Sequence, residues 1–75
     1  MLMRERPLTR RQKQLLATIQ RLSSDRGFPP SLAECADVML LHRSRCAALA
    51  RVLEGRGLLA HEPRVARSWR VLHSK

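Results

Sequence analysis

Gly27-Phe28-Pro29-Pro30-Ser31-Leu32-Ala33-Glu34-Cys35-Ala36 is the stretch whose reading decides how the chain is organised. Glycine tolerates the left-handed backbone that ends a helix. Two successive prolines cannot continue one, because proline lacks an N–H and drives the preceding residue toward extended backbone. Ser31 followed three positions later by Glu34 has the form of a capping box, in which the hydroxyl and the carboxylate each accept from an amide left free at a helix start. One helix therefore stops near Gly27 and another opens just after Ser31. Leu32, Cys35, Ala36, Met39 and Leu40 recur on one face of that second helix, which the spacing predicts over residues 32–39.

The same signals extend in both directions. Thr9 and Gln12 repeat the capping-box spacing, and Leu15, Leu16, Ile19 and Leu22 then share a face, which predicts a first helix over residues 10–25. Residues 1–7 are polar and basic, end in Pro7 and show no periodicity, so they read as a flexible basic arm. After a short turn near Leu41 and His42, a third buried face of Cys46, Leu49, Ala50 and Leu53 runs to Gly55 and Gly57, predicting a helix over residues 44–55. Residues 58–61 and 68–72 read as two short strands, with Trp69 and Val71 alternating against Ser68 and Arg70 and the Pro63 segment reversing the chain; residues 73–75 are left as a tail. The fold class that follows is mainly α with a small β-hairpin: a three-helix winged helix-turn-helix over residues 8–72, whose third helix enters a DNA major groove with the hairpin beside it.

Composition narrows the function. Seventy-five residues make one domain with one small core, and 44% hydrophobic content with only Phe28 and Trp69 as aromatics favours aliphatic helix packing over a large sheet or an aromatic-lined substrate pocket. Fifteen Lys and Arg against six Asp and Glu give a net charge of +9, and thirteen of the fifteen are Arg, the side chain suited to bidentate contact with phosphate and guanine. The charge is segregated, at +4 over residues 1–14, −1 over 15–41, +3 over 42–57 and +3 over 58–75. Such patterning points to a polyanionic partner rather than to general solubility.

Cys35 and Cys46 make no disulfide framework, no apolar run resembles a signal peptide, and no stretch approaches the ~18 apolar residues of a membrane span. The reading is of a cytoplasmic, nucleoid-associated protein without a membrane partner. No Gly-rich phosphate loop, paired carboxylates in an apolar setting or Ser/His/Asp arrangement occurs, so catalysis, a cofactor and a small-molecule substrate are not expected. Both cysteines fall on inward faces as small hydrophobes, and no Cys-x-x-Cys or His-x-x-x-His spacing supports a zinc site using them with His42 or His61.

The motifs resemble the N-terminal DNA-binding domain of the LexA repressor family across about residues 8–72. Leu8-Thr9-x-Arg11-Gln12, Gly27-x-Pro29-Pro30 and Ala33-Glu34-x-Ala36 are similar to that family's opening, and residues 57–72 to its wing; Leu53-Glu54-x-x-Gly57-Leu58-Leu59 also resembles winged-helix regulators of the MarR type. The resemblance implies a double-stranded DNA-binding transcriptional regulator of the repressor kind. His42-Arg43-Ser44-Arg45 departs from it, matching only across a one-residue gap and lacking the family's Ser-Pro with following Asn and Glu residues, so a different base preference is expected. Residue 75 ends the sequence before any self-cleaving protease domain, and the expectation is that derepression takes another route.

Arg43, Ser44, Arg45, Ala47, Ala48 and Arg51 lie off the Cys46-Leu49-Leu53 face and form the candidate base-reading set. Long Arg side chains reach guanine O6 and N7, and small Ala admits close approach or contact with a thymine methyl; the plain alternative is a solvated helix face. Thr9 and Ser31 cap helix ends whose free N–H groups suit phosphate, and Arg11, Arg64, Arg67 and Arg70 join them as candidate backbone or wing contacts. Trp69 reads as core packed across the first or third helix, with a dimer contact as the alternative. A homodimer is expected, paired through residues 1–8 or exposed wing residues or only on DNA, because one winged helix reads too few base pairs to mark a genomic site. The rival function is a winged-helix module for RNA or for another protein; the shortage of aromatic stacking platforms favours duplex DNA.

Overall fold

The computed structural model describes residues 7–72; the arm expected over residues 1–7, apart from Pro7, and the tail expected at 73–75 lie outside the described residues. In chain order α1 spans Arg10–Arg26, α2 Leu32–Met39 and α3 Arg43–Gly55, followed by β1 at Leu59–Ala60 and β2 at Arg70–Val71. This is the winged helix-turn-helix order. Both capping boxes form: Gln12 N–H donates to Thr9 Oγ1 at 3.1 Å and Thr9 N–H to Gln12 Oε1 at 2.9 Å, while Glu34 N–H donates to Ser31 Oγ at 3.2 Å and Ser31 N–H to Glu34 Oε1 at 2.8 Å. Gly27 ends α1 in the left-handed region at φ 81°, its N–H donating to the Ser23 carbonyl at 2.7 Å. α3 starts one residue before the predicted position, after His42, which makes no side-chain cap.

Two local departures have physical causes. Leu40, expected on the buried face of α2, is 89% exposed and sits in the left-handed region at φ 58°. It ends the helix by unwinding it: Leu41 N–H donates to the Ala36 carbonyl at 2.9 Å, closing the wide loop of a Schellman motif and turning half-buried Leu41 toward the core instead. The hairpin is likewise shorter than its alternation predicts, with Leu59 opposite Val71 and Ala60 opposite Arg70. Beyond Ala60 the side chain of Ser68 replaces the ladder. Ser68 is buried, against the outward position expected of it, and its Oγ accepts from Glu62 N–H at 2.9 Å and donates to the Val65 carbonyl at 2.8 Å. A buried hydroxyl satisfied on both sides braces the segment from Glu62 to Ser68, where a proline-containing strand pair could not continue the ladder.

The elements close on one core of Leu15, Ile19, Cys35, Ala36, Met39, Cys46, Ala50, Leu53, Leu59 and Trp69. β2 lies against α1 and β1 against α3, so the hairpin is part of the packed body. Trp69 is buried there, and its ring stacks on His61 at 4.0 Å between centroids and 11° between planes; His61 Nδ1 lies 2.9 Å from Glu54 Oε2 at the end of α3. The base of the wing is thereby tied to the C-terminal turn of α3.

Left-handed backbone costs an L-residue roughly 1–2 kcal/mol, while glycine gives back roughly 0.5–1 kcal/mol through unfolded-state entropy. Leu40→Gly removes that strain without losing buried surface and should stabilise the fold by about 0.5–1 kcal/mol, whereas Gly27→Ala should destabilise it by about 1 kcal/mol. Urea unfolding of the two variants checks the opposite signs.

Candidate nucleic-acid interface

The core-facing residues of α3 determine which of its side chains meet solvent. With Cys46, Ala50 and Leu53 fully buried and Leu49 partly so, a period of 3.6 residues puts Ser44, Ala48, Arg51 and Gly55 along the opposite side. Arg43, Ser44, Arg45, Ala48 and Arg51 are all exposed, and Ala47 is half-buried on the flank. The structure therefore brings five of the six candidate base-reading residues onto one open surface and gives Ala47 an edge position. Val52 joins them, exposed beside Arg45 and Ala48 at spacings of seven and four; its spacing marks the outward face in the sequence, but its apolar side chain does not. Arg43, Arg45 and Arg51 have no hydrogen-bond or ion-pair partner among the described residues.

The candidate backbone and wing contacts separate. Arg64 stands at the wing turn at φ 70°, exposed and without a partner among the described residues. Arg67, by contrast, is turned back on the body: its Nη1 donates to Glu34 Oε1 at 2.8 Å, across thirty-three positions of sequence. Arg70 is on β2 and lines a shallow groove with Gln20, Ser23 and Ser24 of α1, away from α3. Arg11 donates to Gln14 Oε1 at 3.1 Å and, more weakly, to the Met39 carbonyl at 3.5 Å, linking α1 to the end of α2. Thr9 and Ser31 occupy their caps, with Thr9 exposed and Ser31 half-buried.

Glu34 gathers several polar partners. Besides the capping box, its Oε2 accepts from Arg26 Nη1 at 2.7 Å and its Oε1 from Arg67 Nη1. The hydrogen bond from Arg26, the backbone amide of Ser31 and the hydrogen bond from Arg67 hold its carboxyl well below the ordinary carboxylate range. Phe28 completes the cluster, with the Arg26 guanidinium 4.9 Å and the Arg67 guanidinium 5.9 Å from its ring centroid. Only the capping role was legible from sequence spacing. Cys35 and Cys46 are both free and buried, and burial pushes the Cys35 thiol up to about 12 and that of Cys46 up as well. Protonated thiols are poor metal ligands and poor nucleophiles, and among the described residues no three or more His, Cys, Asp or Glu side chains gather as a metal site.

Comparison with known proteins places this geometry. The family model described as the LexA DNA binding domain matches residues 5–68. The chain belongs to the LexA DNA-binding domain family. It is 41% identical over 66 residues to the LexA repressor of Arthrobacter sp. (strain FB24), covering 87% of this chain and 26% of that protein. To the LexA repressor of Mycobacterium ulcerans (strain Agy99) it is 40% identical over 57 residues, 75% of this chain and 23% of that one, and to that of Parafrankia sp. (strain EAN1pec) 36% identical over 66 residues. The chain thus spans about a quarter of the length of these relatives. Membership in the LexA family agrees with the three helices and the small antiparallel hairpin. No helix among the described residues is long and apolar enough to cross a membrane.

Because the Glu34 carboxyl titrates lower when folded than when unfolded, its contribution to stability is present above the ordinary glutamate value of ~4.3 and is lost progressively as pH falls toward the folded value. Glu34→Gln keeps an acceptor at the capping position but not the charge. The stability gap between wild type and Glu34→Gln should therefore be constant near neutral pH and shrink in acid, as thermal melts across pH 2–7 would measure.

Proposed function

We propose that this LexA-family domain binds double-stranded DNA in a sequence-specific manner as a repressor-type transcriptional regulator, with α3 in the major groove and the wing on the backbone or minor groove. The observation that carries this reading is the outward side of α3, where Arg43, Arg45 and Arg51 stand exposed around Ser44 and Ala48 with no partner among the described residues. The carboxylates are engaged with other groups: Glu34 holds Arg26 and Arg67, and Glu54 at the end of α3 faces His61. Unneutralised guanidiniums on the outward side of a helix suit guanine edges and phosphates, and the small Ala48 lets the helix approach the groove closely. The start of α3, left without a side-chain cap, presents amides that a phosphate can satisfy. Ser31 and Thr9 serve as further backbone contacts, and the domain carries no catalytic step of its own.

An RNA or protein partner is less well supported. RNA recognition relies on several exposed rings on which bases stack, whereas Trp69 is buried against His61 and Phe28, though partly exposed, already has two guanidiniums near its ring. Specificity over a genome requires more base pairs than one α3 can read, so two copies act together on a site with half-sites ~10 base pairs apart or a multiple of that.

Selection from a random duplex pool followed by titration tests the proposal. Arg45→Ala should cost ~1–3 kcal/mol and relax preference at one or two base pairs, and each phosphate neutralised by the domain should add ~0.9 to the negative slope of log K against log salt. Equal affinity for random and selected duplex would refute sequence-specific reading. Footprinting a selected site shows either paired half-sites, as expected, or one unrepeated half-site, which would refute the pairing.

A further inference from the structure

We infer that Arg67 is a positioning residue and not a DNA contact: with Glu34 it latches the wing onto the start of α2, leaving Arg64, of the two arginines in the loop between β1 and β2, as the one free for the duplex. The inference rests on the DNA-binding reading and assigns different work to two arginines that lie three positions apart in one loop.

Three observations support it. Arg67 Nη1 is 2.8 Å from Glu34 Oε1, and its guanidinium lies 5.9 Å from the Phe28 ring, so it is held by a carboxylate and a π-face at once. Glu34 is itself held in place, because Ser31 N–H donates to its Oε1 and Arg26 Nη1 to its Oε2. The wing loop that carries Arg67 is pre-shaped by Ser68 and by the Val65 N–H bond to the Glu62 carbonyl at 3.1 Å. That shape puts Arg64 at the turn with no partner among the described residues.

A pair this exposed, with Arg67 52% and Glu34 28% accessible, adds little to global stability. Its effect is orientational. The strand pair holds the wing only at its base, through two residues per strand, so the angle of the loop relative to α2 and α3 depends on what the loop itself grips. Arg67 leaves the loop one residue before buried Ser68 and grips the element that precedes α3. A duplex seated on α3 then meets Arg64 at a fixed position, and binding need not order the loop.

Charge alone predicts the opposite result for one variant, which makes the test decisive. Removing the Glu34 carboxylate from a chain that binds a polyanion should strengthen binding if Arg67 is a phosphate ligand, because Arg67 is then released to the duplex. With Arg67 as a latch, Glu34→Gln should weaken binding to a selected duplex by about two- to fivefold, as expected for losing an exposed pair. Arg67→Ala should do the same, and the double variant should be no worse than either single one. Arg67→Ala should leave the salt slope unchanged, whereas Arg64→Ala should reduce its magnitude by ~0.9. In the free protein, amide exchange at Glu62 and Val65 should accelerate in both latch variants while the α1 and α3 amides stay protected, which separates loosening of the wing from unfolding. Tighter binding by Glu34→Gln, or a slope reduced by ~0.9 in Arg67→Ala, would overturn the assignment, as would unchanged exchange in both variants. Should the wild-type chain select no duplex at all, the DNA reading fails, and the exchange measurement still decides whether the latch exists.

Discussion

Burial of three helices and a hairpin on a single small core constrains everything else in this domain. Leu15 and Ile19 of α1, Cys35 and Met39 of α2, Cys46, Ala50 and Leu53 of α3, Leu59 of β1 and Trp69 before β2 meet in one cluster, so no element can rotate without exposing what it contributes. Once Cys46, Ala50 and Leu53 face inward, the side of α3 bearing Ser44, Ala48 and Arg51 must face outward. The candidate DNA-reading surface is therefore a consequence of packing. Its amino acids are unconstrained by the core and remain available for choosing a base sequence.

Electrostatics refines what packing allows. A chain with fifteen Lys and Arg and six Asp and Glu cannot neutralise itself, and where its carboxylates sit determines which cations are left over. Glu34 gathers two guanidiniums at the junction of α1, α2 and the wing, and Glu54 lies against His61 beneath the Trp69 ring. The outward arginines of α3 and Arg64 of the wing have no such counter-charge among the described residues. These arginines therefore keep their positive charge uncompensated, while Glu34 ties α1, α2 and the wing together.

Much of this was readable in advance because it rests on short-range rules. Capping boxes span three residues, so Thr9 with Gln12 and Ser31 with Glu34 marked two helix starts, and Gly27 marked a stop. Helical periodicity is a matter of three and four residues, so the inward faces of α1 and α3, and with them the outward position of Arg45 and Arg51, followed from the pattern of apolar side chains. Strand alternation was a weaker guide. With two residues per strand, Ser68 answered to the loop's need for a buried hydrogen-bonding group and not to the pleat.

The sequence by itself determined the order of elements, the inward faces and the excess of positive charge, since each depends on neighbours within one helical turn or on composition alone. Only the tertiary structure decided how individual polar groups are spent. Arg67 and Glu34 are thirty-three positions apart, and Arg11 and Met39 twenty-eight; nothing local distinguishes Arg67 from Arg64, yet one reaches a carboxylate and the other reaches none among the described residues. Leu40 shows the same limit for backbone: its apolar side chain fits the buried pattern, but the turn into α3 requires left-handed geometry there, and the need to bring two helices onto one core overrode the preference of the residue.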